Sequence, residues 1–195
     1  LRHLPIVAID PRDARDHDDA IWAAPREDGG FDAIVAIADV SFYVRPGGAL
    51  DREARRRGNS VYFPDQVMPM LPHSLSSDMC SLKAGEDRAA MVAHLSIDRH
   101  GRVTGWRFTR ALVRIAANIA YEDAQAAIDD ASAGSASSPT CEMPPVTPFP
   151  PALVEQALKP LWACWRLLAA ARDARAPLEL DLPERQVLLD ERGRI

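Results

Sequence analysis

Apolar and polar positions alternate along several short runs of this chain, and this spacing predicts a protein rich in β-strand. The runs with strand-like patterning are Leu4–Asp10, Asp19–Ala24, Phe31–Val40, Arg88–Asp98 and Val103–Ile115. Turns at Asp28-Gly29-Gly30 and Arg99-His100-Gly101 would join neighbouring runs into hairpins, because glycine supplies the backbone conformations that tight turns need. The predicted sheet is therefore largely antiparallel.

Helical spacing is confined to three other segments. The predicted helices are Leu50–Arg57, Tyr121–Asp130 and Ala152–Arg175, the last of which contains Pro160 as a potential kink. Two short strands are predicted near the end of the chain, at Leu178–Leu182 and Gln186–Leu189. The stretch 131–151 is rich in Ser, Ala and Pro, and we interpret it as an insertion outside the core. The mixture predicts an α+β fold, a largely antiparallel sheet with flanking helices.

A cluster of five aspartates within ten residues separates the first two predicted strands. It consists of Asp10, Asp13, Asp16, Asp18 and Asp19. Like charges held this close repel each other, and a bound cation is the usual reason to hold them together. Oxygen ligands suit a hard ion such as Mg²⁺ or Mn²⁺, whose usual chemistry at such sites is phosphodiester hydrolysis or phosphoryl transfer.

The aspartate cluster has three other possible interpretations. An EF-hand loop fails because Arg15 or Ala20 would occupy a ligand position. The sequence His17-Asp18-Asp19 also suggests an Asp/His phosphoesterase of the DHH type, which needs further histidine ligands, and the five histidines here are scattered. A solvated acidic loop is the third interpretation, and the flanking strands argue against it.

The cluster is also where the chain resembles a known family. Asp10, Asp16, Asp18 and Asp19, in the order I-D-x5-D-x-D-D-A, are similar to the metal-binding signature of the ribonuclease II/ribonuclease R (RNB) exoribonucleases. The resemblance continues in ordered blocks at 35–44, 50–54, 57–64, 69–72, 80–82 and 87–88, and returns weakly at 180–183. It implies that residues 1–195 are part of an RNB catalytic domain.

The resemblance also implies roles for individual residues. Asp10, Asp16 and Asp19 would be metal ligands, and Asp18 the catalytic carboxylate. Tyr62 matches a tyrosine that stacks on the 3′-terminal bases, and Arg57 is a candidate for RNA binding. A core tyrosine is the alternative for Tyr62.

Other residues near these positions were expected to have structural roles. We expect His17 to point away from the cluster and Asp13 to lie in a surface turn. We expect Phe63 to be a core residue and Asp39 to form structural hydrogen bonds. The sequence departs from the family at Ser77-Asp78-Met79 and at Asn118 and Ala120. The first departure affects a loop expected near the RNA channel. The second departure, at Asn118 and Ala120, would remove a phosphate or packing contact.

Charge and composition qualify this interpretation. The net charge of −5 argues by itself against a nucleic-acid binder, although five arginines are concentrated between Arg45 and Arg57. A solvated helix face would explain these arginines equally well. Cys80, Cys141 and Cys164 have no zinc-ligand spacing and are expected to be reduced structural thiols. No long apolar segment or signal peptide is apparent, so we expect no membrane partner and a cytoplasmic location.

The residues by themselves predict a metal-dependent site of the phosphodiesterase kind. The resemblance implies more: a Mg²⁺-dependent (Mn²⁺ possible in its place) processive 3′→5′ exoribonuclease that acts on single-stranded RNA and releases nucleoside 5′-monophosphates. The resemblance implies that the full-length protein also has the C-terminal half of the catalytic domain and flanking OB-fold domains. The 195-residue chain would then be a fragment, with activity of its own left open. A non-catalytic RNA-binding remnant and a small-nucleotide metal phosphohydrolase are the alternatives.

Overall fold

A six-stranded sheet organises the computed structural model of this chain, which describes residues 1–64, 66–133, 149–178 and 187. The strands follow the order β7-β6-β3-β2-β1-β8 across the sheet. Neighbouring strands are antiparallel except for β1 and β8, which run parallel. The predicted α+β fold with a largely antiparallel sheet is therefore confirmed.

The sheet strands are β1 Val7–Asp10, β2 Asp19–Pro25, β3 Phe31–Ala38, β6 Asp87–Ile97, β7 Val103–Arg114 and β8 Ala117–Ala120. A separate two-stranded hairpin consists of β4 Val61–Tyr62 and β5 Val67–Met68. The helices are α1 Val40–Tyr43, α2 Ala49–Arg57, α3 Tyr121–Ala133, α4 Pro151–Leu153 and α5 Lys159–Asp173. Two π-helical turns, Leu75–Met79 and Val154–Leu158, complete the secondary structure.

Apolar residues of the strands alternate between the two faces of the sheet. One of these faces is covered only in part and leaves Met91, Trp106 and Phe108 exposed. The first face is covered by the segment from Leu71 to Leu82, which packs on Ala20, Ile34, Val92 and their neighbours. The opposite face is covered by helical residues such as Ile128 of α3 and Cys164 of α5. The helices of this second layer pack against Val7 of β1 and Ile119 of β8.

Three local features differ from the sequence-based expectation. The predicted strand Phe31–Val40 ends at Ala38 and gives way to α1, where the Phe42 N–H donates to the Asp39 carbonyl. The helix predicted at Ala152–Arg175 is divided by a π-helical turn, and Pro160 lies in the first turn of α5, directly after it. Strand β8 was not predicted at all.

Several expectations concern residues with little or no described structure. The predicted strands at 178–189 and most of the 131–151 insertion lie outside the described residues, as does Cys141. Cys80 and Cys164 are buried free thiols, and burial raises the pKa of each. Among the helices of the described part, none is long and apolar enough to cross a membrane.

Candidate metal and active site

The aspartate cluster lies where β1 ends and β2 begins. Asp10 is the last residue of β1, and Asp19 is the first residue of β2. The loop between them is fixed by backbone hydrogen bonds to two other segments: the Leu82 N–H donates to the His17 carbonyl (2.8 Å), and the Ala38 N–H donates to the Asp18 carbonyl (2.8 Å). The carboxylates thus sit at one edge of the sheet on a well-anchored backbone.

The electrostatics of the site reflect how close its carboxylates are. Burial is the largest cause of a raised pKa for Asp18, followed by the charges of Asp16, Asp19 and Asp10. The pKa of Asp19 is raised by burial and then by the charge of Asp10. The neighbouring carboxylates therefore destabilise the ionised forms of Asp18 and Asp19, and a cation placed among them would reverse this effect.

His17 points towards the cluster, so the expectation that it points away is wrong. Its Nδ1 lies 2.6 Å from Oδ2 of Asp10, and both side chains are largely buried. The His17 N–H donates to the hydroxyl oxygen of Ser81 (3.1 Å), so this backbone is held on both sides.

Tyr62 is exposed next to the cluster and is not a core residue. Its side chain is 65% exposed on the short β4–β5 hairpin, and its hydroxyl donates to Oδ2 of Asp16 over 3.3 Å. Burial, and then the negative charge of Asp16, raise the pKa of the tyrosine hydroxyl. Phe63 is 50% exposed, so the expectation that it is core is wrong. A hairpin with two residues in each strand has no buried face of its own.

Arg57 is the last residue of α2 and lies beside the same hairpin. Its Nε donates to Glu53 (3.0 Å), and one of its terminal nitrogens donates to the Pro69 carbonyl (3.0 Å). Helix α2 has no fully buried residue, and Arg55 and Arg56 pair with Asp51 and Glu53, respectively. These arginines thus form a solvated helix face, and each is held by an ion pair with a carboxylate about one turn earlier in the helix.

Comparison with known proteins decides the family. The model of the RNB domain matches residues 1–195. This chain belongs to the RNB family. It is 39% identical to "Ribonuclease R" of Vibrio parahaemolyticus over 195 residues, which are 100% of this chain and 22% of that protein. It is 52% identical to "Ribonuclease R" of Escherichia coli over 121 residues, 62% of this chain and 15% of that protein.

A solved structure agrees with this assignment. The structure titled "Mycoplasma genitalium RNase R in complex with double-stranded RNA" superposes with a TM-score of 0.84 at 29% identity, covering 99% of this chain and 32% of that one. The RNB chain described here therefore spans about a third or less of these relatives.

The donor chemistry of the RNB chain fits a hard divalent cation, although its oxygens are not gathered into one shell. The four aspartates offer only oxygen ligands, and their charges already affect one another. In the described part of the chain, no three His, Cys, Asp or Glu side chains form a ready-made metal-binding group. Asp10 is engaged by His17 and Asp16 by Tyr62, whereas no described side chain donates a hydrogen bond to Asp18 or Asp19.

Two residues support the backbone of the aspartate loop, and sequence reasoning gave no role to the first of them, Ser81. Ser81 is fully buried and accepts the His17 N–H. Asn118 accepts the Ala84 N–H (2.7 Å) and donates to the Leu82 carbonyl (2.9 Å), so it fixes the segment that anchors the aspartate loop. The departure from the family pattern at Asn118 was a usable signal, and the structure assigns it a packing role.

The remaining expectations concern structural residues. Asp39 is buried and accepts hydrogen bonds from Ser41 (2.6 Å) and from Arg110, which confirms its structural role. Asp13 is exposed in a turn, as expected. Asp78, one of the residues that depart from the family pattern, pairs with Lys83 over 2.7 Å.

Proposed function

We propose that this RNB chain forms the metal-binding part of a 3′→5′ exoribonuclease. The single observation that supports it best is the anchored cluster of mutually repelling carboxylates at one sheet edge, in a chain of this family. Asp10, Asp16 and Asp19 would hold Mg²⁺, with Mn²⁺ as a substitute, and Asp18 would be the catalytic carboxylate. The substrate would be single-stranded RNA, degraded processively to nucleoside 5′-monophosphates.

The cation would supply charge stabilisation at the scissile phosphate and a bound water that loses its proton easily. Asp18 would orient the attacking water, because no described side chain donates a hydrogen bond to its carboxylate. The water oxygen forms a bond to phosphorus as the bond to the 3′-oxygen of the preceding nucleotide breaks. That oxygen takes up a proton, and the released nucleotide keeps the 5′-phosphate.

Tyr62 would hold the 3′ end of the RNA by stacking. Its ring is exposed, and its hydroxyl already reaches the aspartate cluster. Aromatic stacking on a base contributes about 1–3 kcal/mol and does not depend on sequence, because every base has a π-face. Arg57 would contact a phosphate from the neighbouring end of α2, where its side chain is 45% exposed.

The test is degradation of 5′-labelled single-stranded RNA by the full-length parent in Mg²⁺. We expect a ladder that shortens from the 3′ end, lost in Asp18→Asn and kept in Asp13→Asn, which makes the same change in an exposed turn of the same loop. RNA binding should survive Asp18→Asn. Loss of cleavage and binding together would contradict the role of Asp18.

The same assay, repeated with the 195-residue chain, separates the alternatives. Binding without cleavage by the full-length parent would favour a non-catalytic RNA-binding protein. Cleavage of a dinucleotide but not of longer RNA would favour a small-nucleotide phosphohydrolase. Cleavage by the parent but not by the 195-residue chain would mean that further parts of the protein complete the site.

A further inference from the structure

A basic groove lies at the end of the sheet opposite to the aspartates. It has a volume of about 960 Å³ and runs between the β6–β7 turn and the C-terminal half of α5. The residues that matter in its lining are Arg102, Val103, Trp165, Leu168, Arg172 and Arg175. None of the candidate catalytic residues borders it.

The walls of the groove are held together closely. Gly101 in the β6–β7 turn has φ +72°, and a Cβ added there would lie 2.5 Å from the Leu167 carbonyl oxygen and 2.7 Å from Cβ of Ala171. The carboxylate of Asp98 accepts the backbone N–H groups of His100 (2.8 Å) and Arg102 (2.9 Å). The turn therefore presents Arg102 at the groove from a fixed backbone.

The charge of the groove is opposite to that of the whole chain. Three arginines, Arg102, Arg172 and Arg175, border it together with His100, while the chain carries −5 overall. Arg172 also pairs with Asp173 over 3.1 Å, at the solvent-exposed end of α5. A concentration of arginines in an acidic protein is complementary to a polyanion.

An exposed aromatic surface accompanies these charges. Trp165 is 52% exposed and stacks on Trp162 with ring centroids 4.7 Å apart and an interplanar angle of 20°. The stacked partner holds the Trp165 ring in place while leaving part of it accessible. Arginines beside an accessible indole are the combination with which proteins bind single-stranded nucleic acids independently of sequence.

The groove is remote from the aspartate cluster. Asp19 pairs with Ile37 and Pro25 with Phe31, which in turn pairs with Ile97 just before the turn. The six steps along β2 from Asp19 to Pro25 correspond to about 20 Å at the rise of an extended strand. A ligand in the groove is therefore bound at a second site, separate from the proposed active site.

We propose that this groove binds single-stranded RNA, with the phosphates on Arg102 and Arg172 and a base on the Trp165 ring. The site goes beyond the proposed catalytic function, because it needs neither the cation nor the aspartates. It would retain RNA at a distance from the 3′ end. An acidic protein partner is the competing occupant, but it would have no need for an exposed indole.

The test is equilibrium binding of fluorescein-labelled oligouridylate to the 195-residue chain in EDTA, measured by fluorescence anisotropy over a range of salt concentrations. EDTA removes any contribution from metal-dependent chemistry, so a failure of the catalytic proposal does not affect the result. Arg102→Glu/Arg172→Glu should weaken binding, and it should reduce the slope of log K against log salt by about 1.4, or 0.7 for each phosphate contact. Trp165→Leu should weaken binding about fivefold or more.

The matched control is Arg166→Glu, which makes the same charge reversal on an exposed arginine of α5 outside the groove lining. Its effect should be clearly smaller than that of Arg172→Glu alone. The neutral variant Arg102→Gln/Arg172→Gln, checked by circular dichroism, separates loss of contacts from repulsion or misfolding, and it should also weaken binding.

Three results would overturn the proposal. The unchanged chain could fail to bind the oligonucleotide, the groove variants could bind as tightly as the unchanged chain, or Arg166→Glu could weaken binding as much as Arg172→Glu. Binding of polyglutamate with the same affinity as RNA, insensitive to Trp165→Leu, would also overturn it and point to an acidic protein partner.

Discussion

Nδ1 of His17 lies 2.6 Å from Oδ2 of Asp10, and this contact joins a side chain without an expected role to a proposed metal ligand. An ionised carboxylate only accepts hydrogen bonds, so Nδ1 must carry the hydrogen. One oxygen of Asp10 is then oriented by the imidazole, while the other stays available for a cation. Residues that orient ligands in this way commonly affect metal affinity as well as geometry.

We predict that His17→Phe weakens Mn²⁺ binding by on the order of tenfold, because the ring remains but the donor to Asp10 is lost. His17→Asn should restore most of the affinity, since its amide nitrogen can take the place of Nδ1. Titration of free Mn²⁺ by electron paramagnetic resonance measures both. If the two variants bind Mn²⁺ equally well, the hydrogen bond has no positioning role.

The ring and the hydroxyl of Tyr62 should have separable effects. The ring is exposed for stacking, and the hydroxyl donates to Asp16. Tyr62→Phe should leave RNA affinity within about twofold, whereas Tyr62→Ala should weaken it about fivefold or more and lengthen the limit product of the full-length parent. Fluorescence anisotropy measures the RNA affinity, and product gels measure the length of the limit product. A limit product of unchanged length in Tyr62→Ala would rule out the stacking role.

Local pattern was sufficient to predict the longest hairpin and the position of the aspartates. The alternation in β6 and β7 extends over eleven and twelve residues, and glycine and aspartate mark the turn between them. The aspartates were recognisable because apolar segments flank them on both sides. Both signals are contained within one continuous stretch of sequence, so no tertiary information was needed.

Features that depend on distant partners could not be predicted in this way. Strand β8 has only four residues and exists because it pairs in parallel with β1, more than one hundred residues earlier. His17 faces Asp10 because Ser81 and Leu82 fix the loop backbone from another part of the chain. Phe63 is exposed because its hairpin is too short to have a buried face. In the first two cases, contacts with distant segments override the local pattern.

The ion pair between Arg110 and Asp39 should contribute to stability. Nε of Arg110 lies 3.0 Å from Oδ2 of Asp39, whose side chain is only 4% exposed. Arg110→Met leaves the buried carboxylate with Ser41 as its remaining side-chain partner, which should cost about 1–3 kcal/mol in the free energy of unfolding. Urea denaturation measures this loss in the free energy of unfolding. Arg107→Met, on the same strand, is the control. An equal loss in both variants would mean that the pair contributes nothing specific.

Gly101 and Gly47 provide a matched test of how closely the β6–β7 turn approaches α5. Both have φ +72°, so alanine strains the backbone equally at both positions. At Gly47 no atom lies within 4 Å of the added methyl group, whereas at Gly101 it would collide with the Leu167 carbonyl and the Ala171 side chain. We predict that Gly101→Ala lowers the free energy of unfolding by about 1–3 kcal/mol more than Gly47→Ala does, as expected for overpacking.

Thermal or urea denaturation of the two glycine variants gives this difference directly, and equal losses would mean that the turn and the helix are not in contact. Gly101→Ala should also affect the groove, because the turn relieves the collision by moving away from α5. Such a movement separates Arg102 from Arg172 and Trp165. Gly101→Ala should therefore weaken RNA binding at a temperature where the protein remains folded, whereas Gly47→Ala should not.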